Sequence, residues 1–106
     1  MKIKLLISYD ASSNHTKLKK IIMDFFENYI QEKVNISEED WWTNTTVIVE
    51  ISLNLPYKNK EIENKIIEYI KGLLNPLKRY IKSKETEKTK FDLQRIFIVE
   101  ISDPIY

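Results

Sequence analysis

The chain has 106 residues, 42% of them apolar and 31% charged, with a formal net charge of +1. That balance describes one globular domain spanning residues 1–106; it excludes a disordered chain and a strongly basic, non-specific nucleic-acid binder. There is no cysteine, so disulfides and thiolate metal centres are excluded too.

Lys2 to Asp10 alternates Ile3, Leu5, Ile7 and Tyr9 with Lys2, Lys4 and Ser8, the period of a half-buried strand. It reads as a strand rather than a signal peptide, and no apolar run reaches bilayer length. The expectation is a soluble cytoplasmic protein with no membrane partner. Ser12 or Ser13 is placed to cap a helix from about Asn14 to Lys33. Its stripe of Leu18, Ile21, Ile22, Phe25, Phe26, Tyr29, Ile30 and Val34 packs on a sheet.

Ser37 to Asp40 reads as a single capped turn. Trp41–Thr43 is expected to form a short strand, turning at Thr43-Asn44 into a longer one from Thr45 to Leu55. In an extended segment the rings of Trp41 and Trp42 point to opposite faces. Along the longer strand Val47, Val49, Ile51, Leu53 and Leu55 share one face, and Ile48, Glu50 and Ser52 the other.

A second stripe, Ile62, Ile66, Tyr69, Ile70, Leu73 and Leu74, meets Asn75-Pro76. Proline removes a donor and disfavours the helical conformation before it, so two helices are expected, with Asn75 capping the second. Lys82 to Lys90 carries no apolar residue and reads as a solvated, mobile loop or a frayed helix end. The last strand, Leu93 to Ser102, is expected to put Phe97, Val99 and Ile101 on one face and Ile96, Ile98 and Glu100 on the other. Val99-Glu100-Ile101-Ser102 echoes Val49-Glu50-Ile51-Ser52, which shared strand pressure explains.

This order predicts an α+β protein: a two-layer, ferredoxin-like β-α-β-β-α-β sandwich with both helices on one face of the sheet. A three-stranded β-α-β-α-β sheet is the alternative if the tryptophan segment is not a strand. The uncovered face is expected to carry Leu6, Ile48, Ile96 and Ile98. Four aliphatics there predict a homodimer formed through that face.

Leu6-Ile7-Ser8-Tyr9-Asp10, the amphipathic helix, Trp41-Trp42, the threonine-rich strand start and Phe97-Ile98-Val99-Glu100-Ile101 resemble a family of small bacterial and phage proteins labelled SinR-like. These are similar to the ferredoxin-fold VapD toxins and the small CRISPR-adaptation endoribonuclease-like proteins. The resemblance implies a homodimeric ferredoxin-like fold with the acid after the first strand, Asp10, as metal ligand. The chain departs from that pattern in its longer first helix and in the Lys82–Lys90 insertion.

Two functions follow as expectations. The first is a Mg²⁺- or Mn²⁺-dependent endonuclease of the toxin–antitoxin or phage-defence kind, acting on RNA or DNA. Asp10 would be its catalytic metal ligand, His15 its general base or a phosphate contact, and Ser8 and Ser12 further phosphate contacts. The second is a non-enzymatic binding protein, such as a toxin-neutralising immunity protein or a phage-encoded inhibitor of a defence protein. Trp41 and Trp42, rimmed by Glu38, Glu39 and Asp40, would be its anchors.

Overall fold

The computed structural model describes residues 1–37, 45–55 and 59–101. β1 (Lys2–Ala11) turns Ile3, Leu5, Ile7, Tyr9 and Ala11 inward and buries them, as its alternation predicts. After it the chain turns through Asn14, whose φ of 56° lies in the left-handed region that asparagine tolerates. α1 (His15–Asn28) then buries Leu18, Ile22, Phe25 and Phe26. It stops short of the expected Lys33. The Asn28 amide donates to the Asp24 carbonyl at 3.2 Å and to the Asp24 carboxylate at 2.6 Å, a local competition for backbone that weakens a helix interior.

The released residues form β2 (Lys33–Ser37), a strand that the expected helix had covered at its start. Val34 and Ile36 pack on the core while Lys33 and Asn35 are exposed. This short alternation is also compatible with a helix end, which is how it escapes the periodicity argument. Ser37 ends this strand, and Glu38, Glu39 and Asp40 of the expected turn lie outside the described residues. Trp41, Trp42 and the expected Thr43-Asn44 turn lie outside the described residues.

β3 (Thr46–Ser52) buries Val47, Val49 and Ile51. α2 (Lys60–Ser83) is one helix, not two, and Pro76 sits inside it. Asn59 begins it by accepting the Ile62 N–H at 2.9 Å. Proline costs the helix one hydrogen bond and a clash with the preceding turn, roughly 3 kcal/mol. The apolar stripe nevertheless keeps its phase through it, and Ile62, Ile66, Leu73, Leu77 and Ile81 are all buried. Their packing offsets the loss. Gly72, the sole glycine, is exposed in this helix, and an added Cβ meets nothing within 4 Å. Gly72→Ala is expected to raise stability by about 0.5–1 kcal/mol, read from the urea midpoint.

Beyond α2, Thr86 and Thr89 exchange backbone hydrogen bonds at 2.9 and 3.2 Å. Phe91 is fully buried and anchors the loop's far end. β4 (Leu93–Ile101) follows. The sheet order is β2-β3-β1-β4, with every neighbouring pair antiparallel. β1 and β2 therefore run the same way on either side of β3, and β3 and β4 the same way on either side of β1. α1 joins the first pair and α2 the second. The result is a four-stranded antiparallel sheet carrying two helices.

One cluster joins the inward residues of the sheet to both helix stripes. Among the described residues the core contains no buried charged or polar side chain beyond the tip of Tyr9. Tyr80 of α2 donates its hydroxyl to the Asp24 carboxylate of α1, and that hydrogen bond, ahead of burial, raises the tyrosine pKa. Tyr69, on the same helix, is shifted upward too, first by burial and then by the Glu32 carboxylate. Neither phenol ionises near neutral pH. Among the described residues no helix is long and apolar enough to cross a membrane.

Candidate functional site

The face of the sheet away from the helices is built by register. Leu6 of β1 lies opposite Ile48 of β3 on one side and opposite Val99 of β4 on the other. Residues directly opposite in an antiparallel pair share a face, so Ile48, Leu6 and Val99 form an apolar row across three strands. Ser8 pairs Thr46 and Phe97 in the next row, and Lys4 pairs Glu50 and Ile101 in the row on the other side. Phe97 is 53% exposed and Val99 46%. For large apolar side chains in neighbouring rows, that is a surface rather than a core edge.

This corrects the expected face in half of its members. Leu6 and Ile48 lie on it, but Ile96 and Ile98 do not: Ile96 lies opposite Tyr9 and is 6% exposed, and Ile98 lies opposite Ile7 and packs against the core. Phe97 and Val99 take their places. The phase is set by a bulge at the Asp10/Ala11 step, where Asp10 pairs Arg95 and Ala11 pairs Leu93, leaving Gln94 extra. A bulge re-aims side chains. This one lets Leu93 and Ile96, an odd number of residues apart, both serve the inner side.

Charges rim the apolar rows. Lys2 reaches Glu50 at 3.6 Å near one end of β1. At the other end Asp10 lies opposite Arg95, with 3.9 Å between carboxylate oxygen and guanidinium nitrogen. Both of those side chains are more than half exposed, so the pair is weakly held. Asp10 is therefore neither a turn acceptor nor buried; it stands on the open face beside a cation.

The other candidate residues scatter around that corner. Ser8 is half-buried on the open face. Ser12 donates to the Asp92 carboxylate at 3.2 Å, and Ser13 and Asn14 donate to the Lys90 carbonyl at 2.7 and 2.8 Å. Instead of capping α1, they stitch the turn to the strand entering β4. His15 opens α1 with a buried Nδ1 that has no partner, and among the described residues no hydrogen bond or ion pair joins it to Asp10. Sequence reasoning missed Arg95, which no local pattern marks; only the cross-strand register places it.

The metal reading needs ligands. Among the described residues there is no group of three or more histidine, aspartate or glutamate side chains that could hold an ion. Asp10 also faces a guanidinium, which opposes a divalent cation and suits an anion. The described residues of one chain do not fit a metal centre by themselves; a second Asp10 from a partner copy would add a ligand. Compared with protein-family models, curated proteins and solved structures, the chain finds no match.

Proposed function

We propose that the protein is a binding and assembly module that pairs with a second copy through the open sheet face, and whose task is to hold another protein rather than to turn over a substrate. The carrying observation is the apolar row of half-buried Ile48 and Leu6 and exposed Val99 on the open face, flanked by exposed Phe97 and rimmed by the Lys2–Glu50 and Asp10–Arg95 pairs. Contiguous apolar surface with a polar rim is what an interface needs and what an isolated monomer keeps small. The two interleaved β-α-β units support a ferredoxin-like classification of the fold. A toxin-neutralising protein or an inhibitor of a defence protein fits this reading. Sedimentation at tens of micromolar is expected to show a dimer. A monomer at high micromolar concentration overturns the proposal.

The nuclease reading keeps one specific support: Asp10 lies on this same face with its carboxylate exposed, so a two-fold copy could bring a second one near. It requires that pair to displace Arg95 and recruit Mg²⁺ or Mn²⁺. Asp10→Asn tests it cleanly, because losing one exposed ion pair should change stability by less than about 1 kcal/mol. Labelled RNA and DNA are incubated with wild type and mutant, with Mg²⁺, Mn²⁺ or chelator. The binding-module proposal expects equal background in every lane. Cation-dependent cleavage that the mutant lacks would reverse the order of the two readings.

A further inference from the structure

The net charge of +1 conceals a separation that the fold creates. α1 begins just after β1, and α2 ends ahead of β4, whose Leu93 pairs Ala11 at the end of β1. The start of α1, the end of α2 and the loop after it therefore meet at one end of the sheet. Residues 11–20 and 78–94 supply nine lysines and arginines against three acids, so the rest of the chain is net negative. Those acids, Glu85, Glu87 and Asp92, keep their charge and are outnumbered.

The basic groups sit on a tied-down frame. Ser13 and Asn14 bind the Lys90 carbonyl, and buried Phe91 anchors the loop. Thr86 and Thr89 exchange backbone hydrogen bonds and close a tight turn that carries Lys88. Lys17, Lys20 and Lys84 surround a hollow of about 340 Å³ walled by Thr86 and Thr89, and among the described residues no acid lines it. Lys17, Lys20, Lys84, Lys88 and Lys90 are exposed, and among the described residues none of them makes an ion pair. Lysines at the end of α2 suit its macrodipole. Lys17 does not: it stands in the first turn of α1, which holds no acid, where a cation is unfavourable. Helix stability leaves it unexplained, and a polyanion on this end supplies the missing counter-charge.

We propose that this end docks the sugar–phosphate backbone of a nucleic acid, through charge and without reading sequence. Phosphate contacts need spaced cations, and lysine meets phosphate as a point charge. A protein partner needs an apolar anchor, and a stable hold on a membrane takes an apolar signal beside the basic one. The exposed large apolar side chains described are Tyr29, Ile67, Phe97 and Val99, and none belongs to these segments. The overall charge excludes a uniformly basic binder, but the fold gathers cations at one end. The proposal goes beyond the protein-holding reading and uses a different surface from the sheet-face dimer.

The test is fluorescence anisotropy of the full chain with labelled single-stranded RNA and DNA of about twenty nucleotides, in chelator to prevent cleavage. Both should bind, within about threefold of each other, because the backbone charge is common to both. Affinity should fall with salt at a logarithmic slope of about −2, as expected for roughly three phosphates on a single strand. Lys17→Glu/Lys20→Glu/Lys84→Glu is expected to keep its circular dichroism and bind at least about tenfold more weakly. Lys60→Glu/Lys65→Glu/Lys71→Glu makes the same charge change at exposed positions on the first half of α2. At about 0.1 M salt, where screening is local, it should weaken binding by less than about threefold. Any of four results overturns the proposal: no binding at about 100 μM protein in about 50 mM salt, an affinity indifferent to salt, equal weakening by both variants, or polyglutamate displacing the oligonucleotide as well as unlabelled RNA does. If the first variant loses its fold, the salt slope and the polyglutamate competition still decide. Sedimentation of the same proteins reads the sheet-face dimer separately.

Discussion

Phe25→Ala is expected to lower the free energy of unfolding by about 3–5 kcal/mol, read as a fall in urea midpoint at unchanged slope. Phe25 is fully buried on α1, edge-on to Phe26 with 5.3 Å between ring centroids and stacked on Tyr29 at 4.7 Å. It also meets Tyr80 of α2 at 5.6 Å, so its ring is where the two helices touch most closely among the aromatics. Removing it leaves a cavity that stiff neighbours cannot fill, which adds to the lost transfer energy. It also undermines Tyr29, which is 57% exposed and has its neighbour's ring as its apolar support. The Tyr80–Asp24 hydrogen bond and the Lys84 ammonium, 5.1 Å from the Tyr80 ring centre, hold the far side of the cluster and resist collapse. A loss below about 1.5 kcal/mol, within the range of volume-conserving swaps, would show that the helices repack without this ring.

Where the sequence carries a clean period, the structure follows it. β1 and β3 alternate strictly because one of their faces must be dry, and a slip by one residue would put Leu5 and Val49 in water. α1 likewise shows its buried side at Leu18, Ile22, Phe25 and Phe26. The failures share one physical cause: local signals that a tertiary term overrides. Pro76 predicts a break, but burial of Leu73, Leu77 and Ile81 keeps α2 whole. The Lys33–Ser37 alternation is too short to outweigh a helical stripe running into it; it becomes a strand because β3 offers it an edge.

The corner around Asp10 was half legible. An acid closing β1 is visible in the sequence, but Arg95 joins it only through the register of a strand more than eighty residues later. The repeated Val-Glu-Ile-Ser is instructive for the same reason. Val49 and Ile51 face the helices, whereas Val99 lies on the open face with Leu6. Identical tetrads sit in opposite phase, so sequence likeness between strands says nothing about which side is wet.

That phase gives the second large effect, because adjacent residues of β4 should respond in opposite ways. Ile96→Asp places a carboxylate opposite Tyr9 in a layer that is 6% exposed. Burial there means the charge must be desolvated or the group kept protonated, and either way the isoleucine packing is lost. The expected cost is at least about 4 kcal/mol, enough to unfold a marginal domain at 25 °C. Phe97→Asp puts the same carboxylate where the ring is already 53% exposed. Its stability should move by less than about 1 kcal/mol, while the sheet-face dimer should dissociate, because a charge would lie in the apolar row it is proposed to bury. Circular dichroism and sedimentation on the two variants read both effects. If the sheet carried Ile96 outward and Phe97 inward, the folded, monomeric protein would be the Ile96 variant and the unfolded one the Phe97 variant.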